Sequence, residues 1–140
     1  MIKVFLRGSC ADSKWKEKFI PKLNIDYLNF DDWNSKCQEE KIKQKETCDF
    51  ILYTLTKAYS AFAEVAEVVD DSNKRPEKTI VCIYNELIDY KWYEKLAMSK
   101  QELKHLDAVG RLVERNGGKY FKSLDEVANY LNNINKKENN

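Results

Sequence analysis

Apolar and polar positions along this chain alternate in blocks that predict strands separated by helices. Ile2-Lys3-Val4-Phe5-Leu6 reads as a first strand, with Gly8-Ser9 as the turn behind it. Asp12-Ser13 can cap a helix through Trp15, Phe19 and Ile20, whose i, i+4, i+5 spacing forms one apolar face, and Pro21 kinks or ends it. Apolar residues alternate again from Ile25 to Phe30, a second strand, and Asp31-Asp32-Trp33-Asn34 forms the loop at its end. The charged run from Cys37 to Lys45 predicts a solvated helix, and a third strand begins at about Asp49 and carries Phe50-Ile51-Leu52-Tyr53-Thr54-Leu55.

An alanine-rich helix follows from Ser60 to about Asp71, closed by the polar turn Ser72-Asn73-Lys74-Arg75-Pro76. Thr79-Ile80-Val81-Cys82-Ile83-Tyr84 is nearly continuous in apolar residues, as a strand buried on both faces must be. Residues 88–98 have no clear period. Leu103, Leu106, Val109, Leu112 and Val113 mark a helix that stops near Gly117-Gly118. Lys119-Tyr120-Phe121 is a short strand, and Ser123 with Glu126 three residues on opens a final helix. The segment from Lys136 to Asn140 is polar and reads as a frayed tail, leaving one domain over residues 1–135.

Strands that alternate with helices imply a parallel sheet with right-handed crossovers. The expected architecture is therefore α/β: a flavodoxin-like or Rossmann-like three-layer sandwich around five parallel strands in the order 2-1-3-4-5. Its switch point lies between the first and third strands, so Gly8-Ser9-Cys10 and the Ser60 to Glu67 segment should face one crevice. The chain contains no GxGxxG and no Walker-type GK[ST].

At 140 residues the chain can bury a core without disulfide or metal staples. Its 24 Lys and Arg against 23 Asp and Glu give a net charge of only +1, and the signs are interspersed, which argues against nucleic acid as a partner. Cys10, Cys37, Cys48 and Cys82 form no CxxC pair and His105 is the single histidine, so neither a metal nor another cofactor is expected. Cys48 and Cys82 read as core thiols, and His105 as structural or exposed. No apolar run approaches membrane-spanning length and no secretory h-region is visible, so a cytoplasmic, non-membrane protein is expected.

The candidate chemistry centres on Ser60-Ala61-Phe62-Ala63-Glu64-Val65-Ala66-Glu67. This stretch sets a hydroxyl and two carboxylates at the start of a helix, just beyond the carboxyl end of a strand, where open α/β sheets bind ligands. Glu64 and Glu67, three residues apart, share a helical face, with alanines leaving room beside them. Either could act as nucleophile or general base, and the helix dipole should help keep a first-turn carboxylate ionised. Glutamates are also common in the first turns of surface helices for that same electrostatic reason, which is the competing explanation.

Gly8-Ser9-Cys10, the Trp15 helix, Asp31-Asp32-Trp33, Cys48-Asp49 and the run Glu67-Val68-Val69-Asp70-Asp71-Ser72-Asn73-Lys74-Arg75-Pro76 together resemble the nucleoside 2-deoxyribosyltransferase-like family, in its small bacterial and phage branch. The resemblance spans nearly the whole chain. It implies an enzyme, a transferase or hydrolase, that cleaves or exchanges the N-glycosidic bond of a nucleoside or nucleotide through a glutamate nucleophile and a glycosyl-enzyme intermediate. The family's Gly-x-Gly-x-Glu-x-Gly stretch maps onto residues 60–66 and selects Glu64, with alanine or larger residues in place of the glycines. Anchoring on Glu-Val-Val-Asp-Asp-Ser-Asn-Lys selects Glu67 instead; the distance from Ser60 and the helix start favours Glu64.

Around that nucleophile, Asp49 or Asp31 would supply a proton or hydrogen bond to the leaving base, with Asp32 as a further base contact. Ser9, or the Gly8 and Ser9 amides, would bind a 5′ hydroxyl or phosphate, with Ser60 at the same rim. Phe5 and Trp33 would offer stacking faces, each also well explained by packing. Two rival readings share the fold: a NAD glycohydrolase-like enzyme, and a non-catalytic nucleotide-binding or interaction module. Family members commonly complete each site from a neighbouring subunit. The aromatic-rich segment from Asn85 to Tyr93 is thus expected in a homodimer interface, with Asn85 near the partner's ligand; packing onto its own core is the alternative.

Overall fold

The computed structural model describes residues 2–8, 15–29, 35–56, 61–85 and 99–138. Within them the chain alternates as predicted: β1 (Lys3–Gly8), α1 (Trp15–Phe19), β2 (Asp26–Asn29), α2 (Ser35–Thr47), β3 (Phe50–Leu55), α3 (Ala61–Lys74), β4 (Thr79–Ile83), α4 (Lys100–Arg115), β5 (Lys119–Phe121) and α5 (Leu124–Glu138). All four strand pairs are parallel, and the order is β2-β1-β3-β4-β5. The expected α/β three-layer fold is the observed one.

Side-chain alternation along the strands divides the interior into two layers. Val4, Leu6, Leu52, Ile80 and Cys82 point to one face, where α1 (Trp15, Phe19) and α5 (Val127, Leu131) cover them. Phe5, Ile51, Tyr53, Leu55, Val81 and Ile83 point to the other, beneath α3 (Val68) and α4 (Val113). Both faces of the central strands are covered because the parallel crossovers lay helices on the sheet, while the edge strand β2 stays largely exposed. Burying each large apolar side chain contributes roughly 1.5–3 kcal/mol. Cys48 and Cys82 are buried, and desolvation pushes the Cys82 thiol up to about 12, so both thiols serve as packing groups.

Several boundaries differ from the pattern reading. α2 extends beyond 37–45 at both ends, to Ser35 and Thr47. α3 continues through Ser72-Asn73-Lys74, which the sequence assigns to a turn. Those polar residues stay helical because Ser72 Oγ and Asn73 Nδ2 both donate to the Val69 carbonyl, at 2.7 and 3.2 Å, and Lys74 pairs with Asp70 at 2.9 Å. A tertiary bond from Asn116 Nδ2 to the buried Ser72 Oγ, 3.0 Å, fixes the segment to the end of α4, while Asn73 and Lys74 stay exposed. α5 likewise runs to Glu138, into the expected tail. Pro21 ends α1 as expected, by a 3-10 turn over Ile20–Lys22.

The capping box of α4 escaped the pattern reading because its first residue, Ser99, follows a segment without period. Glu102 N–H donates to Ser99 Oγ at 3.1 Å, and Ser99 N–H donates back to Glu102 Oε1 at 3.2 Å. The cap expected at Ser123 is present, with Glu126 N–H donating to its hydroxyl at 3.2 Å. No helix among the described residues is long and apolar enough to cross a membrane.

Because all strands point one way, Gly8, Asn29, Thr56 and Asn85 lie at one edge of the sheet, and Lys3, Asp26, Asp49 and Thr79 at the other. Gly8 ends β1 opposite Thr54 with φ +135°, and a Cβ there would lie 2.2 Å from the Thr54 carbonyl oxygen. Gly8→Ala is expected to destabilise the fold by about 2–4 kcal/mol, from backbone strain and overpacking together. Urea denaturation checks this, and a change below about 0.5 kcal/mol would contradict it.

Candidate functional site

The helix after β3 should bury an apolar stripe, yet Glu64, Glu67 and Asp71 share the stripe with Val68. Glu64 and Asp71 are buried and Glu67 is half-buried. Buried carboxylates must find partners, and β1, β3 and α2 supply them. Arg7, at the carboxyl end of β1, is 6% exposed and places Nη2 2.9 Å from Glu67 Oε2. Lys45 of α2 lies 3.4 Å from the same Glu67 oxygen and 3.0 Å from Asp71 Oδ2. Tyr53 of β3 has its hydroxyl 3.2 Å from Glu67 Oε2 and donates to Asp71 Oδ2. Arg75 then pairs with Asp71 at 2.7 Å and with Glu46.

The result is a line of alternating charges, Arg7-Glu67-Lys45-Asp71-Arg75-Glu46, running from the carboxyl rim along the underside of α3. Tyr53 remains a neutral donor within it, since burial, and then Asp71, hold its phenol well above the ordinary value of 10.0. Among the described residues every hydrogen bond and ion pair to Glu67 falls on Oε2, and Oε1 has no hydrogen-bond partner.

Their surroundings shift the pKa values of the two rim glutamates in opposite directions. For Glu67, burial pushes the pKa up, but Arg7 and Lys45 outweigh it and hold the carboxyl below its ordinary 4.5. For Glu64 burial wins: the carboxyl is raised above 4.5 although its own backbone N–H and Arg7 pull the other way. Its Oε2 is buried without a partner among the described residues, in a side chain at 3% exposure. Burial thus outweighs the influences that favour the Glu64 carboxylate, the direction opposite to the one the first-turn dipole predicts.

That opposition has a sign that can be measured. A raised folded-state pKa gives Glu64 a stabilising contribution that is complete below the unfolded value and is lost as pH rises through the folded one. Glu64→Gln, which removes the ionisation, is expected to raise Tm relative to wild type at pH 7 and to give no such gain at pH 3.5. A thermal melt series across that range checks it, and a lower Tm for the variant at pH 7 would contradict it.

The structure brings Glu64, Glu67, Gly8 and Asn85 to one edge of the sheet. It does not bring Asp49 there. Asp49 precedes β3, so it stands at the opposite edge, where its Oδ2 accepts from the Lys3 backbone N–H at 2.9 Å and ties β1 to β3. A proton-donor role beside Glu64 is corrected accordingly. Phe5 is also corrected as a stacking surface: it is 0% exposed in the middle of β1, with Arg7 5.8 Å from its ring centroid. Asn85 is exposed just past β4. Ser9, Asp31, Asp32, Trp33 and Ser60 lie outside the described residues, as do Cys10 and the interface segment beyond Asn85.

Arg7, Tyr53 and Lys45 were missed by the sequence reading, although Arg7 carries a signal: a charge closing the apolar strand Val4-Phe5-Leu6 requires a buried partner. Two hydroxyls were missed as well. Thr54 and Thr56 are buried at the carboxyl end of β3, and neither Oγ1 has a hydrogen-bond partner among the described residues. No cluster of three or more His, Cys, Asp or Glu among the described residues could hold a metal ion. Compared with family models, curated proteins and solved structures, the chain finds no match in any of the three.

Proposed function

We propose that this chain is an enzyme of the nucleoside 2-deoxyribosyltransferase type that cleaves or transfers the N-glycosidic bond of a nucleoside or nucleotide. The observation that carries this reading is the pair of carboxylates on one turn of α3, at the ligand-binding edge of the sheet, whose environments push their pKa values apart. In such a pair Glu67 gives up its proton at lower pH than Glu64. Glu67 takes the part of nucleophile and Glu64 that of general acid, the reverse of the emphasis that spacing alone places on Glu64.

In the first step Glu67 Oε1 bonds to C1′ as the C1′–N bond breaks, its electron pair leaving with the base. Glu64 delivers its proton to that base. Positive charge developing on the sugar faces the Glu67 carboxylate, and fixed negative charge there lowers the barrier. In the second step water or a second base attacks C1′, the C1′–O bond pair returns to Glu67, and the attacking group's proton returns to Glu64. The reading also places the protein in the cytoplasm as a homodimer, with Asn85 at the neighbouring site; a fully active monomer by light scattering would remove that part.

The test is incubation with deoxynucleosides, deoxynucleotides and NAD, with and without a free acceptor base. Base release without exchange identifies a hydrolase, and exchange a transferase. Nicotinamide release identifies the NAD-cleaving alternative, and silence from folded protein a binding module.

A further inference from the structure

We propose that Arg7 is the positioning residue of this site: it grips Glu67 by Oε2 alone and thereby presents Oε1 to the sugar carbon. The inference rests on the reading of Glu67 as nucleophile. A glutamate on a helix has three rotatable side-chain bonds, and a nucleophile gains from being held near its attack geometry. Here the holding groups all converge on one oxygen. Arg7 is the closest of the three at 2.9 Å, against 3.2 Å for Tyr53 and 3.4 Å for Lys45. The other two are shared with Asp71, Lys45 lying nearer to it at 3.0 Å and Tyr53 donating to it.

Arg7 is itself immobilised. It sits at the end of a central strand between β2 and β3, is 6% exposed, and has its guanidinium against the Phe5 ring. Burial disfavours its charge, but Glu67 outweighs that and keeps it protonated. The pairing also has a consequence for turnover. A carboxylate weakened as a base by an adjacent cation is a better leaving group, so when the C1′–Oε1 bond breaks, the returning charge meets Arg7 already in place.

Titration of the Glu side-chain carboxyl carbons by NMR, with Glu67 assigned through Glu67→Gln, tests this without requiring turnover. Arg7→Met is expected to raise the Glu67 midpoint by at least about one pH unit, a tenfold change in proton affinity, with Arg7→Lys recovering at least half of the shift. Where wild type turns over nucleoside, Arg7→Met should lower kcat about 100-fold with KM nearly unchanged, and the acid limb of the pH profile should move up with the NMR midpoint. An unchanged Glu67 midpoint in folded Arg7→Met, or a wild-type kcat, overturns the proposal. If Arg7→Met does not fold, Arg7→Gln, which keeps a donor without the charge, decides on the same criteria. Wild type without turnover would refute the enzymatic reading, while the titration would still decide whether Arg7 holds Glu67.

Discussion

Replacing Glu67 by glutamine is expected to abolish glycosyl transfer, lowering kcat about 10⁴-fold or more, the scale on which enzymes lose a nucleophile. Glutamine keeps the shape of the side chain but can neither form the glycosyl ester nor balance charge on the sugar. Glu64→Gln should instead cost about 10²–10³-fold, the range of a general acid. Its pH profile separates the roles. A general acid must be protonated, so wild-type activity falls as pH rises through the raised Glu64 pKa, and that limb should disappear in Glu64→Gln. A nucleoside whose base leaves without protonation should restore most of the lost rate to Glu64→Gln and none to Glu67→Gln. The reverse pattern, with Glu64→Gln dead and Glu67→Gln nearly normal, would return the nucleophile to Glu64. The physical basis for preferring Glu67 is that its carboxylate is ionised, anchored on one oxygen and free on the other, whereas Glu64 holds a buried, unpartnered oxygen.

Asp71→Ala is expected to be the most destabilising change in the charge line, at about 3–5 kcal/mol, because it removes the fully buried carboxylate that two cations and a phenol share, leaving Lys45 only Glu67 and Arg75 only the exposed Glu46. Asp71 is 0% exposed and receives Tyr53, Lys45 and Arg75 together. Without it, Tyr53 can still donate to Glu67, but the Lys45 and Arg75 charges lose their shared partner beneath α3. Tyr53→Phe should cost only about 1–2 kcal/mol, since it deletes one hydroxyl and leaves the cations paired. Glu46→Ala, at the solvated end, should change stability little. Urea denaturation at pH 7 ranks the three variants; equal effects for Asp71→Ala and Glu46→Ala would mean that the line does not act as a buried network.

The architecture was legible in the chain because it follows from local rules applied in series. Continuous apolar runs at Phe50–Leu55 and Thr79–Ile83 mark strands buried on both faces, helical spacing marks the crossovers, and their alternation calls for a parallel sheet with helices on both sides. The edge occupied by Asp49 was legible too, since a residue that opens a strand of a parallel sheet stands opposite one that follows it. Phe5, mid-strand under helices, belonged to the core by the same logic. The extent of α3 was not legible, because Ser72 and Asn73 are turn formers held in helix by the Val69 carbonyl and by Asn116, which caps the end of α4.

By itself the sequence determined where the carboxylates stand: on one turn of a helix, past the carboxyl end of a central strand. Only the tertiary structure decided what each of them is. Glu64 and Glu67 have the same chemistry and nearly the same place on α3, yet one is desolvated without a partner and the other meets Arg7 from β1 and Lys45 from α2. Their ionisation depends on burial and on charges 60 and 22 residues away in sequence, distances over which local pattern carries no information.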